Sequence, residues 1–479
     1  MKYFITTPIF YSNAEPHIAH AYTAVIADVL ARFHRQKKDD VFFLAGMDEH
    51  GNKVFKKAEE AGKNPQDFCD EIAEKYKKTW ENLDISYDKF IRTTSQEHKK
   101  GAQSILNKLY EKKDIYQKDY TGLYCEGCEK FITKKELVNG ECPDHKKKPI
   151  IVKEKNYFFK SASYLPEIKR RIETGELLIK PEKRKNEVLN ILEQNPEDIS
   201  VSRESVKWGI EIPFDKKQKI YVWIEALTNY ITALGYGEGG KVETQNLVPL
   251  LFKKYWPADL HLVGKDIIKF HAIYWPAILL ALDLPLPKQI YAHGFITVSG
   301  EKMSKTIGNV INPNDLVKRW GSDAVRYLLL SQFPLGEDGN ISLEKMQARY
   351  EADLANDLGN LLQRTLVMMK KYEVSPVADN LSSTFNFDEK QFKDHLDNLE
   401  ITEALKMLRG IITDGNKYIE EKKPWELAKK NLEECHKILQ DLHSRLKLVG
   451  SLIQPFMPGI SQEMLKQLET LDPKPMFKK

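Results

Sequence analysis

Three short stretches of this chain carry side chains able to do chemistry. In PHIAHAYTAV, residues 16–25, His17 and His20 stand three apart at what reads as the start of a helix. A helix start offers unpaired N–H groups and the positive end of the helix dipole, and imidazoles one turn apart add donors on the same face for an anion such as a phosphate. In SGEKMSKTIGN, residues 299–309, Gly300 and Gly308 bracket Lys302, Met303, Ser304, Lys305 and Thr306. Two ammonium groups and two hydroxyls on such a loop can close over a polyphosphate and balance the charge that builds there. The third stretch reads Cys125-Glu-Gly-Cys128, thirteen residues, then Cys142-Pro-Asp-His145. Two short-spaced pairs of thiol and imidazole ligands on a loop that can fold back suit a tetrahedral Zn²⁺, and four protein ligands leave no open position, so the metal is read as structural.

Each stretch has an ordinary reading when taken alone. Histidines decorate many amphipathic helices, and lysine loops are commonly just solvated. What favours chemistry is that the stretches occur together on one chain, so the elements between them matter.

YFITTPIF, residues 3–10, is β-branched and aromatic and reads as a strand. The turn-rich SNAEP follows, after which Ile18, Tyr22, Val25, Ile26, Val29, Leu30 and Phe33 recur at helical spacing. VFFLAG at 41–46 completes a strand, helix, strand unit of the kind that builds a parallel nucleotide-binding sheet, although no G-x-G-x-x-G fingerprint is present. The alternation returns at 220–236, 259–282 and 289–298, and the lysine-rich cysteine-bearing segment between the two blocks reads as an insertion splitting one sheet. From about residue 346, Met346, Tyr350, Leu354, Leu358, Leu361 and Leu362 recur at helical intervals, predicting a bundle with a polar break at 374–390.

Bulk properties set the class. A chain of 479 residues that is 42% hydrophobic and 30% charged is expected to form several domains, with no run of the roughly 20 apolar residues that a membrane span requires. Lys and Arg total 73 against 69 Asp and Glu, so a nucleic-acid partner must be met by local patches. Five cysteines in a chain this long do not suggest a secreted disulfide framework. A cytoplasmic enzyme without a targeting peptide is expected.

With HIAH, a split sheet, KMSKT and a helical bundle in that order, the chain resembles the class I aminoacyl-tRNA synthetases, whose signatures read HIGH and KMSKS. More narrowly it resembles the methionyl-tRNA synthetase family over essentially its whole length, through YFITTPIFYSNAEPH, FLAGMDEHGNKV, KFIRTT, GLYCEGC, YVWIEALTNY, HLVGKDIIKFHAIYWP and NKYIEEKKPW. The resemblance implies an α/β fold: a Rossmann-like catalytic domain in two halves, 1–110 and 216–298, split by a connective insertion with a zinc knuckle at 111–215. A KMSKT loop and stem-contact region at 299–345 and an α-helical anticodon-binding domain at 346–479 would follow.

The activity implied is activation of L-methionine with ATP to methionyl-adenylate, then transfer to the 3′-terminal ribose of tRNA(Met), including the initiator, with Mg²⁺ arriving alongside ATP. His17, His20, Lys302 and Lys305 would carry the phosphate chemistry. ATP would also meet Ala19, Gly264, Asp266, Met303, Ser304 and Thr306. Methionine would sit among Ile9, Tyr11, Trp223, Ala226, Leu227, Tyr230, Ile267 and His271, with Asp48 on its ammonium group, a set that suits an unbranched, polarizable side chain. Asn360, Arg364 and Trp425 would read the anticodon by stacking and edge hydrogen bonds. A monomer is expected.

Three residues depart from the family pattern. Thr306 and Glu225 keep the hydroxyl and the charge of the residues they replace, whereas Ala19 puts a methyl where the signature has glycine, at a cost of about 1–3 kcal/mol if the neighbours do not yield. A catalytically impaired tRNA-binding or regulatory paralogue is therefore the alternative to an active ligase. A zinc-bearing nucleic-acid module is a third reading, which leaves everything after residue 150 unexplained.

Overall fold

Strand Lys2–Thr6 pairs in parallel with Asp40–Asp48 on one side and Leu260–Gly264 on the other. The sheet continues through Gln289–His293 to Leu178–Lys180, and Phe10–Tyr11 and Lys89–Arg92 both pair with Asp40–Asp48, giving seven strands in parallel register. Asp40–Asp48 has seven consecutive buried residues, the near-continuous apolar run expected of a parallel strand covered on both faces. The run 3–10, read as one strand, is two: pairing stops after Thr6 and resumes at Phe10, because Pro8 has no N–H to give to a ladder. Residues 222–232 form a helix, Val222–Thr232, and the strand before it, Asp215–Ile220, belongs to a small antiparallel sheet.

The structure is a computed structural model and describes residues 1–143, 146–237, 249–298, 300–302, 309–376 and 385–477. Two compact units emerge. The first comprises Met1–Glu15, Lys38–Lys78 and Tyr87–His293. It holds the parallel sheet and a four-stranded antiparallel sheet, in the order Lys130–Ile132, Ile115–Cys125, Ile150–Phe159, Ile199–Ser200, within the segment read as an insertion. That segment also supplies Leu178–Lys180 to the edge of the parallel sheet.

The second unit comprises Pro16–Lys37, Thr79–Ser86 and Gly294–Lys479. Its longest helices are Ile18–Gln36, Ile401–Lys422 and Leu432–Leu452. The apolar series from Met346 to Leu362 is buried throughout, as its spacing requires, although Tyr350–Gly359 is wound as a π-helix. Helix Ile18–Gln36 is anchored by a buried ion pair. Arg326 Nη2 lies 2.7 Å from Asp28 Oδ2 with both side chains fully buried, and the same guanidinium donates to the carbonyls of Phe456 and Pro455, each at 2.8 Å, and of Leu83 at 3.2 Å. No helix among the described residues is long and apolar enough to cross a membrane.

Candidate active site and metal centre

In the first unit the chain reverses direction across the sheet at strand Lys2–Thr6, whose neighbours in the sheet are the strands Asp40–Asp48 and Leu260–Gly264. Open parallel sheets bind ligands at the carboxyl ends of strands beside such a switch point. Four of the residues expected from sequence lie at or just after these strand ends. Ile9 and Tyr11 follow the first strand, Asp48 ends its neighbour, and Gly264 ends the strand on the other side. Tyr11 and Asp48 are register partners.

Ile9, Trp223 and Ile267 pack against a core cluster that includes Leu227 and Tyr230, and Ala226 is buried on the same helix as the last two. Trp223 stacks on Phe270 with ring centres 3.9 Å apart. His271 lies in a π-helical turn, Phe270–Tyr274, that follows a 3₁₀ turn over Lys265–Ile267. Its Nδ1 lies 3.0 Å from the Ile267 carbonyl, so that nitrogen carries the proton, and Nε2 accepts from the Tyr230 hydroxyl at 2.7 Å. Burial holds His271 down to about 4, so the ring is neutral near pH 7. The two polar groups satisfy each other and leave an uncharged, polarizable wall.

Charge enters through carboxyl groups. Asp48 Oδ1 is buried and has no hydrogen-bond partner among the described residues. Burial, reinforced by Glu225 and Glu129, pushes its carboxyl well above the ordinary range. Glu225 is 1% exposed and lies 2.7 Å from His50 Nδ1. Burial raises Glu225 and lowers His50 to about 3, which leaves the pair without net charge. Glu129 accepts from the Tyr11 hydroxyl and from the backbone N–H of Lys53, the latter at 2.9 Å. Sequence reading missed Glu129 and His50. By contrast, Glu49 is fully engaged with Arg92, Thr93 and Thr94 and serves the fold.

At Gly264 a Cβ would come within 2.7 Å of Asp266 Oδ1, a contact that the Asp266 side chain can relieve by turning away. Asp266 itself is exposed.

Cys125, Cys128 and Cys142 place their sulfurs within 4.8 Å of one another. The Cys128 and Cys142 sulfurs are 3.6 Å apart, near the edge of about 3.8 Å for a tetrahedron built on Zn–S bonds of about 2.3 Å. Cys125 and Cys142 are buried, with Ile132 and Leu137 around them. The donor set fits a soft divalent metal; His145 lies outside the described residues.

In the second unit, His17 is the N-cap of helix Ile18–Gln36. Its Nδ1 accepts from the Ala19 N–H at 3.3 Å, while its own N–H donates to His20 Nδ1 at 3.3 Å. The histidines thus act as a reciprocal capping box, and their rings stack with centres 3.7 Å apart. With both Nδ1 atoms accepting, the ring protons sit on Nε2. Burial, with His17 alongside, holds His20 well below the ordinary imidazole value. Lys302 ends a short strand, Glu301–Lys302, paired with Ile296–Val298; Met303, Ser304, Lys305 and Thr306 lie outside the described residues.

Asn360 and Arg364 stand one turn apart on helix Asn360–Lys371. The Arg364 guanidinium lies 5.4 Å from the centre of the Trp425 ring and 2.7 Å from Glu420 Oε1. Arginine and tryptophan, far apart in the sequence, therefore lie close together, with Asn360 exposed on the same helix as the arginine.

Residues 3–148 and 144–366 match a family model described as tRNA synthetases class I (M), and residues 368–476 match the anticodon binding domain of methionyl tRNA ligase. The methionine–tRNA ligase of Caldanaerobacter subterraneus is 45% identical over 97% of this chain and 74% of its own length. That of Thermotoga maritima is 43% identical over 98% of this chain and 75% of its own. The crystal structure of Mycobacterium tuberculosis methionyl-tRNA synthetase bound by methionyl-adenylate superposes with a TM-score of 0.89 at 35% identity, covering 97% of this chain and 94% of that one. With both matched regions and these relatives in agreement, the chain belongs to the methionyl-tRNA synthetase family of class I aminoacyl-tRNA synthetases.

Proposed function

We propose that the chain is an ATP-dependent methionine–tRNA ligase, and that its amino-acid site is the pocket around Asp48. The observation that carries this reading is the buried Asp48 oxygen, without a hydrogen-bond partner among the described residues, together with a pocket of mainly aromatic and aliphatic side chains. A buried carboxylate is costly unless a cation meets it, and the α-ammonium of an amino acid is such a cation. Ile9, Tyr11, Trp223, Ala226, Leu227, Tyr230, Ile267 and His271 would then enclose an unbranched apolar side chain. Their neutral polar pair disfavours a charged one.

In the first step a carboxylate oxygen of methionine attacks the α-phosphorus of ATP, and the bond to pyrophosphate breaks. In the second, a hydroxyl of the tRNA 3′-terminal ribose attacks the acyl carbon, and AMP leaves. Both nucleophiles belong to the substrates, so the protein positions them and stabilises charge. The Nε2–H groups of His17 and His20 are donors suited to phosphate oxygens, with Lys302 and Lys305 as the cationic partners. Ala19, Met303, Ser304 and Thr306 would serve ATP alongside them, and in the first unit Gly264 and Asp266 are the candidates for its ribose. Mg²⁺ would enter with the nucleotide and offset its charge. Five cysteines, three of them clustered, suit a cytoplasmic setting better than a secreted disulfide framework. Charging of tRNA(Met) transcript with radiolabelled methionine, run beside leucine and glutamine, tests the proposal: charging by methionine alone supports it, and charging by another amino acid in preference overturns it.

Zn²⁺ on Cys125, Cys128, Cys142 and His145 would hold the knuckle closed. Stripping the metal is expected to loosen residues around 125–145, read as faster hydrogen exchange there, and to lower activity without touching the phosphate groups. Unchanged exchange and activity after verified removal would contradict a structural metal.

Asn360, Arg364 and Trp425 are proposed to meet the anticodon. Stacking one base on an aromatic ring contributes about 1–3 kcal/mol, so Trp425→Ala is expected to raise the KM for tRNA by about tenfold or more, while methionine-dependent pyrophosphate exchange, which needs no tRNA, holds. A fall in exchange would place Trp425 in the fold of its unit instead.

A further inference from the structure

The loop that carries the first cysteine pair reaches into the amino-acid pocket. Glu129 follows Cys128 directly and has a φ of 48°, a left-handed conformation that residues with side chains seldom adopt. Its side chain is 5% exposed, so it is sent inward rather than to water. One carboxylate oxygen accepts from the Tyr11 hydroxyl and the other from the Lys53 N–H at 2.9 Å, at the start of helix Asn52–Glu60. Gly51 leaves room for this: a Cβ there would lie 2.8 Å and 2.9 Å from the two Glu129 oxygens and 2.9 Å from the Tyr11 hydroxyl. The backbone of the same loop is held as well. The Glu129 carbonyl accepts from the Tyr221 hydroxyl at 2.6 Å, and the Cys128 carbonyl accepts from the Trp223 indole at 3.4 Å.

We infer that Glu129 is a positioning residue for amino-acid binding, holding the Tyr11 ring in place and transmitting the geometry of the cysteine loop to the pocket. This rests on the assignment of Tyr11 and Trp223 to the methionine site. Both rings have their polar atoms held by residues 128 and 129, so a shift of that loop moves two walls of the pocket together. Glu129 touches no reacting atom; its effect passes through Tyr11. Ordinary structural anchoring of the insertion makes a different prediction, since it would alter stability and metal retention and would not single out one substrate.

Glu129→Leu keeps most of the volume but offers no accepting oxygen, so the Tyr11 hydroxyl and the Lys53 N–H both lose their acceptor. Tyr11→Phe removes the tyrosine contact from the other side and serves if Glu129→Leu fails to fold. The holoenzyme variants are compared with the parent for zinc content, thermal midpoint, equilibrium methionine binding by tryptophan fluorescence, and the KM values for methionine and ATP. The expected result is methionine affinity weakened about tenfold in both, ATP KM within twofold, and zinc content and midpoint as in the parent. The double variant should be no worse than the poorer single one, because one contact has been removed twice. Unchanged methionine affinity in folded, metal-loaded variants overturns the inference, as does an equal loss for both substrates accompanied by metal loss. A parent enzyme that binds no methionine overturns the pocket assignment itself, an outcome separate from a parent that binds and variants that bind equally.

Discussion

Replacing Asp48 by asparagine is expected to raise the methionine KM about 10- to 150-fold while leaving the apo protein at least as stable near neutral pH. A hydrogen bond to a charged partner contributes about 1.5–3 kcal/mol, and each 1.4 kcal/mol is tenfold in affinity. Asparagine fills the same space and keeps an acceptor but cannot neutralise an ammonium group. The stability half of the prediction follows from linkage. Burial, with Glu225 and Glu129 adding to it, raises the Asp48 carboxyl in the folded state. A raised carboxyl imposes no penalty below its unfolded value of about 3.9, and the penalty grows as pH climbs from there toward the folded value. The asparagine variant should therefore match the parent in denaturant midpoint near pH 3 and equal or exceed it near pH 7. A variant that binds methionine normally, or that is less stable only at neutral pH, would show that Asp48 serves the fold.

Removing the Arg326 guanidinium should have the largest effect on stability. Arg326→Met is expected to cost about 3–5 kcal/mol, because it removes one of the two arginines that balance the fully buried Asp28, Arg32 being the other, and the donor to three buried carbonyls. Burial pushes Asp28 up, but Arg326, Arg32 and two hydrogen bonds from Ser86 outweigh it and hold the carboxyl below its usual range. The contribution is thus fully present above an unfolded value of about 4 and is lost as pH falls through the depressed folded value. Pairing Arg326→Met with Asp28→Leu should recover only part of the loss, since the carbonyls of Pro455, Phe456 and Leu83 still lack their donor. Denaturant midpoints of the two singles and the double measure this directly. A single variant within 1 kcal/mol of the parent, or additive effects in the double, would contradict the account.

What could be seen in the sequence was mostly local. The cysteine cluster is legible because its spacing encodes its geometry. The bundle is legible because a helical period leaves apolar residues four apart, and Met346, Tyr350, Leu354 and Leu358 are indeed buried. Strand Leu178–Lys180 is three residues long with both ends exposed, too short to carry a pattern. The histidines read as a phosphate grip at a helix start; the geometry adds that they cap that helix themselves, which no spacing rule distinguishes from simple exposure. Glu129 and His50 were invisible for another reason. Their partners Tyr11 and Glu225 lie 118 and 175 positions away, so nothing near either residue signals the contact. Arg326, in SDAVRYLLL, reads as the polar face of an ordinary helix and is fully buried. Buried polar groups whose partners are remote in sequence were the features that only the folded chain revealed.

The proposed function requires that this chain activate methionine with ATP. Methionine-dependent exchange of radiolabelled pyrophosphate into ATP, measured without tRNA, tests it most directly. Robust exchange with methionine, none with leucine, and a methionine dependence shifted at least tenfold by Asp48→Asn is the result this account predicts. A folded, metal-loaded chain that binds tRNA(Met) yet supports no exchange would contradict it and favour the paralogue in which Ala19 marks a lost activity.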